Sequence, residues 1–262
     1  MPPTAPQLSA ESYLRSTLLT QAGFRHAFLT RQGGYSQGVF SSLNFAWGTG
    51  DPDENVHANL ALVGRLLDVR ADQIYFLSQV HGTEYELADH TQLQDAFRQR
   101  QGDIVLSHDP AAAAAIRTAD CVPVLLACKR TGWVAACHSG WQGCVRGAAP
   151  RAVAALVKQG ASDLIAAIGP HISSLAFEVG ADVAKQLLDA SPDKSIVSTT
   201  YDKPHVDLRR MVRAQLVRAG LAPESIDDVP GCTVLEPERF FSFRRDKNPS
   251  GRMLSLIVPQ SV

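Results

Sequence analysis

Apolar and polar positions along the chain change period several times. In "DPDENVHANLALVGRLLDV" acidic residues follow a proline, and apolar positions then recur at helical spacing, which predicts a helix with an N-terminal signal. "GAAPRAVAALVKQG", "GADVAKQLLDAS" and "DLRRMVRAQLVRAG" predict three more helices, and "ESYLRSTLLTQAG" a short one ending at Gly23. Strands are expected at "FRHAFLT", "IYFLSQVHG", "GDIVLSH" and "DLIAAIGPHI". "VPVLLAC" and "GWVAACHSG" read as a strand pair joined by "KRTG". The closing "CTVLEPERFFSFRRDKNPSGRMLSLIVP" reads as two strands around a polar turn. Residues 1–8 are proline-rich and expected to be loose, "RQGGYSQG" supplies a turn, and the alanines from Ala111 to Ala115 stand out only as a low-complexity run. Helices and strands mix without regular alternation. This favours one α+β domain over a doubly wound parallel sheet, with residues 1–23 as an N-terminal extension and short helix and 24–262 as the single main domain.

Composition narrows the function classes. With 25 basic against 26 acidic side chains in 262 residues, the charge balance argues against a broad basic face for nucleic acid and against a polybasic membrane patch. The N-terminus lacks a secretory pattern and the longest apolar runs are too short to span a bilayer, so the expected location is cytoplasmic. Five cysteines at irregular spacing then read as thiols or metal ligands rather than a disulfide framework.

Candidate chemistry gathers where apolar segments meet turns: "SQVHGTE" with His81, "TADCVP" with Cys121 and "CHSGWQG" with His138. Two imidazoles and a thiolate make a three-ligand set for zinc with the fourth position open. The same residues also suit a metal-free enzyme in which His138 activates a Cys121 nucleophile. Cys128 and Cys137, inside apolar strands, are read as core. Asp103, Asp120 and Glu178 are candidate acids or bases, each equally suited to capping or ion pairing.

The segments "TRQGGYSQGVFSSLN", "SQVHGT", "TADCVPVLLA", "CHSGWQGCVRGAA", "AIGPHISSLAFEVG" and "FFSFRRDKNPSGRM" together resemble the YfiH family, also called the laccase-domain, DUF152 or peptidoglycan editing factor family. The resemblance implies a single-domain α+β fold with a mixed β-sandwich, similar in layout to toxin deamidases. It implies a zinc site from His81, Cys121 and His138, which would also be the catalytic residues. It implies purine nucleoside chemistry: phosphorolysis of adenosine, inosine, guanosine and methylthioadenosine, and hydrolytic deamination of adenosine, with nucleoside and phosphate as small-molecule partners. Older labels of polyphenol oxidase or laccase, and a link to peptidoglycan precursor editing, come with the family. Copper is the lesser alternative to zinc, because eight histidines without a His-x-His pair suit a multicopper cluster poorly. A non-catalytic binding factor is the remaining alternative.

By the TRxGGxS and SLN motifs, Arg31, Ser36 and Asn44 are expected to bind substrate, and Arg244 and Arg245 are further candidates for phosphate. The chain departs from the family pattern at three positions: Ser139 stands for alanine, Gln142 for arginine, and Leu60 for the arginine that normally follows Asn59. Arg146, one helical turn beyond Gln142, is a candidate to compensate for the lost charge.

Overall fold

The computed structural model describes residues 6–198 and 200–261; the first five residues of the expected loose segment lie outside them. The chain begins with β1 (Tyr13–Leu14), α1 (Thr17–Gln21), β2 (His26–Leu29), α2 (Asp53–Leu67), β3 (Ile74–Tyr75), β4 (Tyr85–Ala88), α3 (Gln94–Phe97) and β5 (Ile104–Ser107). It continues through β6 (Ala113–Thr118), β7 (Val122–Cys128), β8 (Val134–Ser139), α4 (Trp141–Arg146), α5 (Ala148–Lys158) and β9 (Leu164–Ile168). The last third holds α6 (Ala181–Ala190), β10 (Val197–Ser198), β11 (His205–Val206), α7 (Leu208–Arg218), β12 (Ile226–Asp228), α8 (Phe243–Asp246) and β13 (Met253–Ile257).

Two mixed sheets form, ordered β1-β2-β13-β6-β3 and β12-β9-β7-β8-β5-β4, with a separate β10-β11 ribbon. Side chains alternate across each strand, so successive residues serve different layers. Leu125 and Ala127 of β7 and Val134 and Ala136 of β8 join Ala114 and Ile116 of β6 and Phe28 of β2 in the core between the sheets. Val122, Val124 and Leu126, with Ala135 and Cys137, face the other way and pack under α5, α6 and α7. On the far side, α2 covers the five-stranded sheet with Leu60, Val63 and Leu67. The result is a single-domain α+β sandwich with helices on both outer faces.

The expected strand pair is an antiparallel hairpin in register from Val122 opposite Ser139 to Ala127 opposite Val134. Three elements differ from expectation. The helix expected before Gly23 is split: Ser16 is extended and caps α1 by accepting from the Leu19 amide, while Tyr13 and Leu14 pair with β2. The alanine run is not a loose repeat but the start of β6, where Ala113, Ala114 and Ala115 are fully buried. Their small side chains let the second sheet on one face and α2 on the other approach closely, a packing requirement that outweighs alanine's weak strand preference. The first closing strand does not form. Phe240 and Phe241 are consecutive and both fully buried, which a half-exposed strand forbids, and the segment is turns leading into α8.

Candidate metal centre and its two cavities

Cys121 lies in the short crossover between β6 and β7, where the chain passes from one sheet to the other. The crossing bends through Asp120, whose φ of 92° is in the left-handed region. Its carboxylate holds the bend by accepting from the Thr233 hydroxyl and the Arg244 amide, both at 2.6 Å. Asp120 is thereby committed as a clamp.

His138 is carried by β8 on the same strand face as Val134 and Ala136, pointing between the sheets, and is 3% exposed. His81 sits in the loop after β3 with φ 58°. One carboxylate organises both. Asp103, fully buried just before β5, accepts from His138 Nδ1 at 2.7 Å and from the amides of Val80, His81 and Gly82 at 3.1, 3.0 and 2.7 Å. With Nδ1 donating to Asp103, the His138 Nε2 lone pair is left for a ligand. Arg146 adds a bond from Nη1 to the His81 carbonyl at 2.7 Å, so it tethers the loop instead of reaching phosphate.

One ligand atom from each of His81, Cys121 and His138 lies within 4.8 Å of the others, and Cys121 Sγ is 3.9 Å from His81 Nε2. Gly140, which precedes α4, makes this convergence sterically possible. A Cβ there would stand 2.7 Å from His81 Cδ2 and 2.9 Å from Cys121 Sγ. Its φ of −67° suits any residue, so the requirement is for space and not for backbone freedom. Gly140→Ala is therefore expected to keep the fold while weakening metal binding by roughly ten- to hundred-fold, measured by competition with a chromogenic chelator.

The ligand set also has its own electrostatics. Burial disfavours the Cys121 thiolate, but the charge and hydrogen bonding of His138 and His81 outweigh it and bring the thiol to about 6. Burial likewise disfavours charged His138, and the Cys121 thiolate and Asp103 overcome it to raise the imidazole to about 9. Metal-free protein thus holds a thiolate–imidazolium pair between those values. The contribution of Cys121 to stability is lost as pH falls through the lower value, and that of His138 as pH rises through the upper one. Alkylation of metal-free protein is expected to modify Cys121 at a steady rate down to about pH 6 and to slow below it. Buried Cys144, pushed up to about 12 chiefly by burial, is expected to stay unmodified in peptide mass maps.

Two cavities open onto this centre and share His81, Cys121, Ala119 and Phe243. The larger, about 420 Å³, is lined further by Trp47, Thr49, Arg117 and Arg252. The smaller, about 320 Å³, is walled by Trp141, Phe177 and Leu208, with Arg244 and Lys247 at one side. Arg117 and Arg252 were not legible as site residues from motifs, though an arginine inside the otherwise apolar "AAAAAIRT" was a signal.

Other expected residues take different places. Arg31 donates to the Ser41 and Pro237 carbonyls and lies over the Phe241 ring at 4.4 Å. Ser36 and Asn44 both donate to Asp51, at 2.6 and 2.8 Å, and Asn59 links them through Ser36 Oγ and the Asn44 carbonyl. None of Arg31, Ser36 and Asn44 lines either cavity. Asn44 reaches the larger one indirectly, since its Oδ1 accepts from the amides of Ala46 and Arg252, each at 2.9 Å. Arg245 is used up on the carbonyls of Thr233, Val234 and Phe240, whereas Arg244 does line the smaller cavity. Glu178 pairs with Lys203 at 2.8 Å and lines neither cavity. Of the departures, the Ser139 hydroxyl lies 3.3 Å from Cys144 Sγ, and Leu60 is buried in the core beneath α2.

Comparison with known proteins places this geometry. A family model described as multi-copper polyphenol oxidoreductase laccase matches residues 25–260. A Mycobacterium tuberculosis protein named purine nucleoside phosphorylase is 38% identical over 238 residues, covering 89% of this chain and 91% of its own. Escherichia coli "purine nucleoside phosphorylase YfiH" is 33% identical over 231 residues, covering 87% and 90%. Among solved structures, YlmD from Geobacillus stearothermophilus superposes with a TM-score of 0.88 at 29% identity, covering 99% of this chain and all of its own. A Bacillus licheniformis YfiH structure matches equally well, at 28% identity over 98% of this chain and 100% of its own. Matched along most of its sequence and nearly all of its fold, the chain belongs to the YfiH, or laccase-domain, family.

Proposed function

We infer that the protein is a zinc-dependent purine nucleoside enzyme, cleaving nucleosides such as adenosine, inosine, guanosine and methylthioadenosine with phosphate and deaminating adenosine with water. The observation that carries this reading is the convergence of His81, Cys121 and His138 at the junction of two ligand-sized cavities. Its second support is the name purine nucleoside phosphorylase carried by relatives 33–38% identical along most of the chain.

The residues fit zinc. Two imidazoles and a thiolate are borderline-soft donors, the thiol is already biased to its anion, and Asp103 fixes the His138 tautomer. When bound, the ion would supply Lewis acidity beside the reacting carbon and a nucleophile drawn from water near neutral pH. Everything else falls to the protein. Asp103 keeps His138 and the His81 loop in position, and Trp141 and Phe177 offer flat apolar walls to a purine. The same donor set also suits copper, but among the described residues it is the single cluster of three such ligands, whereas multicopper chemistry needs further copper sites.

One observation favours a second reading. Cys121, His138 and Asp103 stand in the order of a nucleophile, base and orienting carboxylate, as a metal-free hydrolase or deamidase would need. Incubating zinc-loaded protein with a nucleoside panel, with and without phosphate, separates the two. Mass detection of free base and ribose 1-phosphate only when phosphate is present, and of inosine from adenosine, is expected. Zinc-replete protein that converts no nucleoside defeats the leading reading.

A further inference from the structure

The larger cavity contains polar atoms that the fold leaves without a use. Arg117 Nε, Trp47 Nε1 and Thr49 Oγ1 are all buried, all line this cavity, and none has a hydrogen-bond partner among the described residues. Two of the three are N–H donors. Leaving buried donors unpaired is costly, and three of them in one hollow leave that hollow open to a polar ligand.

Charge points to the kind of ligand. The remaining Arg117 nitrogens reach only the carbonyls of Phe45 and Leu77, at 3.5 and 3.3 Å. Arg252 Nη1 reaches only the carbonyls of Ser250 and Gly251, each at 2.9 Å. No aspartate or glutamate lines the cavity. Burial, with the charges of Arg252 and Arg98, lowers Arg117 to about 10, which still leaves it protonated at neutral pH. Two guanidinium groups held together without a carboxylate form a site for a compact oxyanion, which planar N–H pairs grip well.

We propose that this cavity is the phosphate subsite of the enzyme, with Arg117 and Arg252 holding the phosphate oxygens and Trp47 Nε1 and Thr49 Oγ1 completing the donors. The assignment rests on the nucleoside phosphorylase reading given above. Because the two cavities share His81, Cys121 and Phe243, a phosphate in this one and a purine in the aromatic one meet at the ribose between them. A phosphate oxygen then forms the bond to ribose C1′ as the C1′–N9 bond breaks. The electron pair leaves with the purine and the phosphate's proton passes to it, giving ribose 1-phosphate and free base.

Arg117→Met tests this in zinc-loaded protein. Inorganic phosphate binding by calorimetry is expected to weaken at least tenfold and the KM for phosphate to rise by a similar factor. Zinc content should stay at one equivalent. The melting temperature should equal or exceed that of wild type, because an unpaired buried cation is removed. Arg117→Lys, which keeps the charge but not the planar fork, should fall between the two. Unchanged phosphate binding in Arg117→Met overturns the proposal. A wild type that binds phosphate through Arg117 yet makes no ribose 1-phosphate keeps the subsite and defeats the phosphorylase reading. Adenosine 5′-monophosphate without phosphate forms the other arm. If Arg117→Met weakens that nucleotide and leaves inorganic phosphate untouched, the cavity serves a nucleotide's own phosphate and the assignment to the co-substrate fails.

Discussion

Cys121→Ala is expected to lose stoichiometric zinc and at least about 100-fold in nucleoside turnover, while remaining folded. The thiolate is the anionic member of the ligand set, and without it two neutral imidazoles bind a divalent ion weakly. The thiolate also stabilises the metal-free fold by pairing with His138, so urea denaturation of the metal-free variant should show a loss of stability at neutral pH that shrinks as pH falls through about 6. Metal analysis after gel filtration reads the first effect and phosphate-dependent base release the second. A variant that loses turnover but keeps one zinc would point instead to the Cys121–His138 pair acting as nucleophile and base.

Asp103→Ala is expected to damage both the fold and the site. The carboxylate accepts from His138 Nδ1 and three successive loop amides while fully buried, so its removal orphans four donors at once. Loss of about 3–5 kcal/mol is expected from breaking such a buried pair. A drop of roughly 10- to 100-fold in zinc affinity should accompany it, because the His138 ring is no longer held in one tautomer. The pH dependence follows the same geometry. Burial opposes the Asp103 charge, but His138 and the loop amides outweigh it and hold the carboxyl below its ordinary value. Its stabilisation is therefore present above the unfolded carboxylate range and is lost as pH falls through the lower folded value. Urea titrations of wild type and variant should converge as the solution is acidified.

How far these features could be read from the chain depends on what signal each carries. The long helices α2, α5, α6 and α7 and the β7–β8 hairpin follow from strong apolar periodicity, since each buries one face against a sheet. The crossover at Cys121 and the positions of His81 and His138 were legible as candidate reactive residues at strand ends. Their convergence was carried by the family resemblance, because three loops far apart in sequence give no local sign of meeting. β6 was missed for a physical reason: Ala113 to Ala115 are chosen for how little space they fill between two layers. Phe240 and Phe241 misled in the opposite sense, since aromatic residues in sequence suggested a strand where a buried turn was needed. Arg31, Ser36 and Asn44 were read from motifs as touching substrate; none of them lines either cavity, and Asn44 holds the Arg252 backbone. Of the residues that do face the larger cavity, Arg117 left a sign in its apolar surroundings, while Trp47 and Thr49 become visible only once burial and hydrogen bonding are known.

The central claim is that a zinc ion held by His81, Cys121 and His138 enables purine nucleoside cleavage. Zinc titration into chelator-stripped protein, with ribose 1-phosphate formed from inosine and phosphate as the readout, tests it most directly. The account predicts activity near zero without metal, rising linearly and reaching its plateau at one zinc per chain. Full ribose 1-phosphate formation by the stripped protein, unchanged on adding zinc, would contradict it.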